Sequence, residues 1–442
     1  MKIAIIGGGI SGLTTAFYIK WQNPSLHVDV YEEGSFLGGK MRTEEVDGFY
    51  FENGTNGFLS NKPDTLDLVK DCKAQHLLLK SNDLARIRFI YKDTLHQLPE
   101  SPKAFLKTKL LSFKGKVRVL LEPFVRAKKD DSDETLQDFG YRRVGREMTD
   151  VFLDAMVAGI YGSTPSKISV NAAFPLVVNL EREYGGLFTG MIKKRKKSAG
   201  PGGILMSFKK GVSSFIDHLA SNCGANIFLS SPVENIQKDG LKYTLTCKNE
   251  KKVYDKVILS TPSFVSAKLV SSFDEKLAKK LDAIAYTPIS VVGFGFDELD
   301  HDLKGFGLLT TSSAKLGILG ILWDSSIFED RAKQGKKSLR IMIGGQRNKD
   351  LALKSDDELI QIAKQGIKDT MNINANPSAV FVKRYEKGIP SYELGHQKRV
   401  KEIFEELKKH EGLHLNSNAY NGVALNDCVK NSRQCAFEVL DF

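Results

Sequence analysis

The sequence predicts an α/β fold, and three observations near its beginning carry that prediction. A run of four apolar residues at 3–6 leads into three glycines, which predicts a short buried parallel strand over residues 2–6. A helical pattern follows over residues 13–21. A second strand-like run, LHVDVYEE, ends at Glu32, twenty residues after Gly12. Strand, glycine turn, helix, strand and acid in this order are typical of a dinucleotide-binding βαβ unit.

The glycine spacing G-x-G-x-x-G explains how such a unit would hold a diphosphate. Gly7 allows a tight turn, Gly9 lets the backbone approach the diphosphate, and Gly12 lets helix and strand pack closely. The helix N-terminus then favours the anion. The Glu32 carboxylate can accept hydrogen bonds from a ribose, although a solvated carboxylate at a strand end is the simpler alternative. This motif alone does not separate NAD from FAD.

Length and composition limit the remaining function classes. The chain has 442 residues, 41% hydrophobic and 26% charged, which is ordinary for a globular protein with two or three domains. No run approaches the eighteen apolar residues of a transmembrane helix, and the N-terminus lacks the h-region of a signal peptide. Five scattered cysteines without ligand spacing indicate a reducing compartment, and they predict no metal site.

The net charge of +11 raises the question of an anionic partner. Residues 103–129 carry nine basic residues and one acid, with Phe and Leu side chains interleaved. A basic amphipathic stretch of this kind can lie on an anionic membrane surface, or it can pack as a helix pair with a solvated lysine face. A second run, MIKKRKKSAGPGG, is predicted to be an exposed loop. No nucleic-acid-binding module accompanies the charge, so nucleic acid is not expected as a partner.

The stretch after the second strand makes the cofactor prediction more specific. GSFLGGKMR and FENGTNGF resemble the motifs that follow the ribose acid and pass beside the flavin in the FAD-binding amine-oxidase-like superfamily. Ordinary turns and a solvated basic pair are the structural alternatives for these residues. The resemblance implies FAD contacts at Gly39, Lys40, Arg42, Gly54, Thr55, Asn56 and Gly57.

Further motifs narrow the resemblance within that superfamily. RFIYKDTLHQLP, GIYGSTPSKISVNAAFPLV, STPSFVSAKLV, GFGLL, LGILWDSSIFEDRA, IPSYELGH and GVALNDC occur in order along nearly the whole chain. Together they resemble the protoporphyrinogen oxidase family, which includes the oxygen-dependent coproporphyrinogen III oxidases. The chain departs from the family at Ser417 and Ser432, where glycine is usual, and at Ser391, where glutamine is common. A glycine at position 417 would allow close approach of the backbone to the flavin.

The resemblance implies an α/β fold, α+β overall, in three interleaved regions. A Rossmann-type, discontinuous FAD-binding domain is expected over 1–80, 203–262 and 405–442. A mixed-sheet substrate domain is expected over 81–98 and 263–404. A helical, membrane-associating insertion is expected over 99–202.

The cofactor residues implied by the resemblance extend beyond the two loops already quoted. A last helix beginning near Asn426 would aim its N-terminus at the flavin. Val233, at a turn, would contact the adenine side through its backbone, and a strand-end core valine is an equal alternative. The remaining implied contacts, including those in the opening motif, are Gly7, Gly8, Gly9, Ile10, Ser11, Gly12, Asn418, Val423, Ala424 and Leu425.

The implied reaction removes six electrons from protoporphyrinogen IX in three two-electron steps, with dioxygen as acceptor and a place in haem biosynthesis. The chemistry is flavin-centred, so no catalytic side chain is predicted. Arg88 would bind a propionate, and Gly159 would lie against the macrocycle, with a surface arginine and a helix-end cap as alternatives. Leu309 and Met342 would contact pyrrole rings, or they are plain core residues.

Several alternatives remain open at this point. Coproporphyrinogen III, with four propionates instead of two, is the rival substrate. Another flavin oxidase or desaturase acting on amines or carotenoids, and a non-catalytic flavin- or porphyrin-binding escort protein, are the rival functions. The resemblance also suggests a cytoplasmic protein, peripheral to the inner face of the membrane, with a homodimer and a ferrochelatase contact among its partners.

Overall fold

The computed structural model describes residues 1–197 and 203–440. It is a mixed α/β protein, as expected, with one parallel sheet and one larger mixed sheet. The strands are β1 Lys2–Ile6, β2 His27–Tyr31, β3 Thr43–Val46, β4 Phe49–Glu52, β5 Phe58–Leu59, β6 Leu78–Lys80, β7 Arg88–Tyr91, β8 Leu95–Gln97, β9 Leu205–Phe208, β10 Asn226–Phe228, β11 Val233–Asp239, β12 Lys242–Cys247, β13 Glu250–Tyr254, β14 Lys256–Leu259, β15 Tyr286–Phe296, β16 Gly307–Thr310, β17 Ile318–Leu322, β18 Lys337–Gly344, β19 Ala379–Pro390 and β20 Leu413–Leu415.

The helices divide into those around the sheets and a group that follows β8. They are α1 Ile10–Gln22, α2 Asp64–Asp71, α3 Pro102–Lys107, α4 Phe113–Leu120, α5 Leu136–Arg143, α6 Arg146–Met148, α7 Asp154–Tyr161, α8 Val170–Ala173, α9 Pro175–Tyr184, α10 Leu187–Lys197, α11 Ser213–Asn222, α12 Ser263–Val270, α13 Glu275–Asp282, α14 Asp324–Ile327, α15 Asp356–Met371, α16 His396–Leu407 and α17 Leu425–Leu440. A π-helical turn at Thr149–Leu153 precedes α7.

The parallel sheet has the strand order β10-β2-β1-β14-β20. Its central strand, β1, has the predicted bounds and is buried from Ile3 to Ile6, because both neighbouring strands pair with it in parallel and helices cover both faces. Such strands read as continuous apolar runs. Helices α1, α11 and α17 form one layer, and the other face packs against α12, α13 and α16.

The mixed sheet has the strand order β19-β15-β18-β17-β16-β7-β8. Its two faces have different partners. Alternate residues such as Leu308, Ile341 and Ile343 form a core with α15. The other face, which carries Leu309 and Met342, packs against α7. This division of faces is what positions the candidate substrate residues.

Helices α3 to α10 form a separate group between β8 and β9. The predicted loop MIKKRKKSAGPGG was wrong for residues 191–197, which belong to α10. Lysine and arginine are good helix formers, so the charge run continues the helix instead of breaking it. Residues 198–202 of that prediction lie outside the described residues. The division into three domains with the stated boundaries stays a prediction.

Candidate flavin site and substrate face

A cavity of about 470 Å³ opens at the carboxyl ends of β1, β2 and β14. Ligands bind at this edge in open α/β sheets, where the crossovers change direction. The cavity brings together twelve of the predicted cofactor residues. They are Gly7, Gly9, Ile10, Ser11, Glu32, Gly39, Lys40, Thr55, Val233, Asn418, Val423 and Leu425. Gly8, Gly12, Arg42, Gly54, Asn56, Gly57 and Ala424 are neighbours of this set and do not line the cavity.

The glycine turn has the geometry that its spacing predicts. Gly7 has a φ of +108°, and a Cβ there would lie 2.8 Å from the carbonyl oxygen of Ser260. A Cβ on Gly12 would lie 2.0 Å from the Gly7 oxygen, because α1 and β1 pack at that point. By contrast, the nearest atom to a Cβ on Gly9 would be 3.9 Å away. Gly9 therefore leaves open space in front of the uncapped N-terminus of α1, where a diphosphate fits.

Glu32 follows β2 and is held by two backbone amides. The N–H of Gly8 donates to Oε2 at 2.7 Å, and the N–H of Gly34 donates to Oε1 at 2.9 Å. A carboxylate offers about four acceptor positions, so each oxygen keeps one for a further donor. Because Glu32 also lines the cavity, the carboxylate is positioned to accept from ribose hydroxyls.

The FENGTNGF loop is fixed from the mixed sheet. Nη2 of Arg340, in β18, donates to Oδ1 of Asn56 at 2.6 Å. The Nδ2 group of Asn56 is buried and has no hydrogen-bond partner among the described residues. Gly57 has a φ of +155°, and a Cβ there would lie 2.0 Å from the carbonyl oxygen of Met206. A buried donor without an acceptor beside this cavity fits a ligand that offers acceptors, as a flavin does.

The last helix begins at Leu425, one residue before the predicted start, with Val423 and Leu425 on the cavity wall. Ser417 causes no strain, since its φ is not positive and its Oγ accepts from the N–H of Ala419 at 3.3 Å. The side-chain amide of Asn418 has no hydrogen bond within the part of the chain that the structure describes, so it is free for a cofactor.

The two predicted basic residues of the GSFLGGKMR stretch behave differently. Lys40 lines the cavity, and its Nζ donates to the backbone carbonyls of Lys387 and Gly388 in β19. Burial lowers the pKa of Lys40 to about 8. Arg42 lies outside the cavity, with its guanidinium 3.6 Å above the ring of Phe36.

Leu309 and Met342 lie on the same face of the mixed sheet, in register. Leu309 of β16 is opposite Gly320 of β17, and Gly320 is opposite Met342 of β18. Because Gly320 has no side chain, the Leu309 side chain lies over it, with Cδ2 only 2.9 Å from where a Cβ of residue 320 would be. Both side chains are half-buried: Leu309 packs against a small cluster that includes Ala155, and Met342 packs against one that includes Ala158. A substrate contact and a plain core position both stay predictions for these two residues.

Gly159 lies within α7 and not at its end, where Gly162 has the left-handed conformation. A Cβ on Gly159 would lie 2.7 Å from Cδ2 of Leu309. The helix is fixed by a buried ion pair at its first residue, between Asp154 and Arg347 at 2.8 Å. Gly159 therefore keeps the helix close to the apolar face without filling the space beside it.

Arg88 is the first residue of β7 and pairs with Gly307 of β16. Its guanidinium lies 4.8 Å above the ring of Phe306, and it has no carboxylate partner among residues 1–197 and 203–440. The register places Arg88 on the same sheet face as Leu309 and Met342. The structure thus places three of the four predicted substrate residues on one face of the sheet and the fourth, Gly159, against Leu309 of that face.

A family model described as flavin containing amine oxidoreductase matches residues 10–440. The chain belongs to this family. It is a flavin-dependent oxidoreductase, and its cofactor is FAD. The cavity fits FAD through the open space at Gly9 and the held carboxylate of Glu32, and the unpartnered amide of Asn56 follows Thr55 of the cavity wall in the chain.

Similar proteins support the resemblance to porphyrinogen oxidases within this family. The chain is 27% identical over 463 residues to a coproporphyrinogen III oxidase of Bacillus subtilis, covering 100% of this chain and 98% of the relative. It is 28% identical to a chloroplastic protoporphyrinogen oxidase of Spinacia oleracea, covering 100% and 84%. A crystal structure of a candidate protoporphyrinogen oxidase from Exiguobacterium superposes with a TM-score of 0.88 at 25% identity, covering 99% and 98%.

Sequence reasoning missed part of the wall of this flavin site. The segment from Ser260 to Pro262 lines the cavity. It belongs to the motif STPSFVSAKLV, which indicates the family but does not by itself predict a cofactor contact. Tyr385 lines the cavity and also packs in the apolar cluster of Met342, so it joins the flavin cavity to the substrate face. Cys428 lines the cavity too, and burial raises the pKa of its thiol to about 12, which keeps it neutral. No group of metal-ligating side chains occurs in the described ranges.

Proposed function

We propose that this chain oxidises protoporphyrinogen IX to protoporphyrin IX with dioxygen as acceptor, as a step of haem biosynthesis. The names of the two relatives above give a porphyrinogen as the substrate of each. One observation on this chain carries the proposal: the Arg88 guanidinium, unpaired among the described residues, shares one face of the mixed sheet with the apolar side chains of Leu309 and Met342. Tyr385 connects this face to the flavin cavity. A flat apolar macrocycle with carboxylates at one side has the complementary chemistry.

The residues of this site would bind and orient the substrate. Arg88 pairs with a propionate in a bidentate manner, which fixes one side of the ring. Leu309 and Met342 contact the pyrroles, and Gly159 leaves room for the macrocycle above them. Bound FAD supplies the two-electron redox chemistry. Three cycles remove six electrons and six protons from the porphyrinogen, and three molecules of dioxygen become three of hydrogen peroxide.

Coproporphyrinogen III is the second candidate substrate, because the site offers more cations than Arg88 alone. Lys383, in β19, lines the cavity and lies on the same sheet face, in the row that contains Val291 and Met342. It has no carboxylate partner within the described chain. Two basic groups at opposite sides of the face would suit a substrate with four propionates. Protoporphyrinogen IX, with two, needs only the Arg88 side.

A side-by-side assay tests both candidates. Purified holoprotein receives protoporphyrinogen IX or coproporphyrinogen III in air, and porphyrin fluorescence is followed with spontaneous oxidation subtracted. We expect the larger kcat/KM for protoporphyrinogen IX. A larger value for coproporphyrinogen III would make the second candidate the function. No turnover of either substrate by protein with bound FAD would overturn the oxidase proposal and favour the escort alternative.

We further propose that α3, α4 and the turn after them contact an anionic membrane surface. Phe113 and Phe124 are 80% and 83% exposed, and lysines such as Lys114 and Lys116 lie next to them in the chain. Exposed aromatic and aliphatic side chains among lysines suit the headgroup boundary of a bilayer. None of the helices in the described ranges is long and apolar enough to span a membrane. The homodimer and the ferrochelatase contact stay predictions.

A further inference from the structure

Two aromatic side chains from one turn reach the segment 417–420, which supplies Ser417 and Asn418 to the flavin cavity. The hydroxyl of Tyr392 donates to the backbone carbonyl of Asn418 at 2.7 Å. Nε2 of His396, the first residue of α16, lies 3.1 Å from the carbonyl oxygen of Tyr420. Both side chains are 1% exposed, so these bonds are shielded from water.

The rings of Tyr392 and His396 stack with centroids 4.1 Å apart and an angle of 16° between their planes. Stacking fixes the distance between the Tyr392 hydroxyl and Nε2 of His396. These two groups bind the backbone carbonyls of residues 418 and 420. The hydrogen bond to a carbonyl oxygen makes Nε2 of His396 the protonated nitrogen of a neutral ring. Burial lowers the pKa of His396 to about 4, which agrees with a neutral ring at physiological pH.

The anchor for this pair lies outside the parallel sheet. Tyr392 packs in a core of the helical group, with its ring centroid 5.8 Å from that of Tyr161 in α7. The N–H of Ser169 donates to the backbone carbonyl of Tyr392 at 2.8 Å. The other end of the segment is held by Asn416, whose Nδ2 donates to Thr15 Oγ1 at 2.8 Å. The segment is therefore fixed from both sides, by α1 before it and by the helical group after it.

We propose that Tyr392 and His396 are positioning residues for FAD, which hold the segment 417–420 so that the Asn418 side chain faces the cofactor. The pair transmits the packing of the helical group to the flavin cavity. This role concerns the cofactor and stands whichever porphyrinogen is oxidised.

The test compares Tyr392→Phe and His396→Phe with the wild-type holoprotein. Each variant keeps an aromatic ring for stacking and removes one donor. Loss of a hydrogen bond to a buried carbonyl predicts FAD release about tenfold faster after dilution, followed by the fluorescence of free flavin. The visible circular dichroism of the bound flavin should change as well, because it reports contacts of the ring.

Tyr243→Phe is the matched control. The hydroxyl of Tyr243 donates to the backbone carbonyl of Glu411 at 2.7 Å, and Tyr243 is outside the cavity wall. We expect a similar loss of thermal stability in this control, with wild-type FAD release and flavin dichroism. Wild-type values of both in Tyr392→Phe and His396→Phe would overturn the proposal. If Tyr392→Phe does not fold, the result for His396→Phe decides alone.

Discussion

Arg340 donates to Asn56 Oδ1 at 2.6 Å and pairs with Asp324 at 2.6 Å, so one buried guanidinium joins the mixed sheet to the loop beside the flavin cavity. Its third contact, from Nη1 to the carbonyl of Glu52 at 2.7 Å, holds the strand that leads into this loop. Arg340 and Asp324 are each at most 2% exposed. The loop beside the flavin cavity and the mixed sheet therefore cannot move independently without breaking the two buried hydrogen bonds that Arg340 donates to Asn56 and Glu52.

Arg340→Leu should lower the free energy of unfolding by about 3–5 kcal/mol, because it leaves the Asp324 carboxylate buried and unpaired. Urea denaturation of the holoprotein measures the change. The double variant Arg340→Leu with Asp324→Leu should recover most of the loss, since it removes both charges. An equal loss in the single and double variants would contradict this account of the pair.

Gly159→Ala should lower kcat/KM for the preferred porphyrinogen about tenfold, because its Cβ would press on Leu309 and push that side chain into the space for the macrocycle. The free energy of unfolding should change little. Alanine is favoured over glycine inside a helix by about 1 kcal/mol, which offsets the cost of the contact with Leu309. Leu309→Ala in the same chain should restore part of the activity. Additive losses in the double variant would argue against a shared site.

Arg88→Leu should raise KM about tenfold to a hundredfold, with a smaller effect on kcat, because it removes a charge-assisted contact to a propionate. Steady-state kinetics with both porphyrinogens measures it. Arg86→Leu is the matched control, since Arg86 lies two residues earlier with a side chain 77% exposed. Equal KM values in the two variants would remove Arg88 from the substrate site.

Stability should fall in acid because of His396. Burial lowers the pKa of His396 to about 4, against about 6.5 in an unfolded chain. The unfolded state therefore binds a proton first as the pH falls below 6.5, and unfolding becomes more favourable down to pH 4. We expect this residue to cost about 2 kcal/mol of the free energy of unfolding between pH 7 and pH 5. The pH dependence of His396→Phe should be flatter by that amount, and parallel curves would contradict the assignment.

Phe113→Ser combined with Phe124→Ser should reduce binding to vesicles of phosphatidylglycerol and phosphatidylcholine, measured by flotation. The two rings are the most exposed large apolar side chains of the chain's described residues, and their burial in the bilayer boundary drives the contact. Leu241→Ser, at a leucine 65% exposed in β12's hairpin, is the control. Equal binding of both variants and wild type would exclude this surface.

Much of the cofactor site could be predicted from the sequence because its signals are local. The glycine spacing, the acid at Glu32 and the start of the last helix each depend on a few adjacent residues, and the structure gives them the expected positions. The MIKKRKKSAGPGG stretch shows the limit of local reading. A run of charged residues is typical of an exposed loop, but lysine and arginine also have high helix propensity, and α10 extends to Lys197.

Contacts between distant segments could not be predicted in this way. Ser417 and Ser432 stand where the family usually has glycine, and Ser432 contacts residues far away in the chain. In the structure, Oγ of Ser432 accepts from Asn416 Nδ2 at 3.0 Å and so helps to hold the segment before Ser417. Likewise, Tyr385 joins the cofactor cavity to the substrate face only through the pairing of β15 with β19.

The sequence by itself determined the fold class, the dinucleotide turn and the family, since periodicity and motif spacing are properties of short segments. The tertiary structure alone decided which face of the mixed sheet carries Arg88, Leu309 and Met342, which basic side chains lack a carboxylate partner among the described residues, and how Tyr392 and His396 reach the segment 417–420. These depend on strand register and on packing between residues far apart in the chain, and a one-residue change in register would turn each side chain to the opposite face.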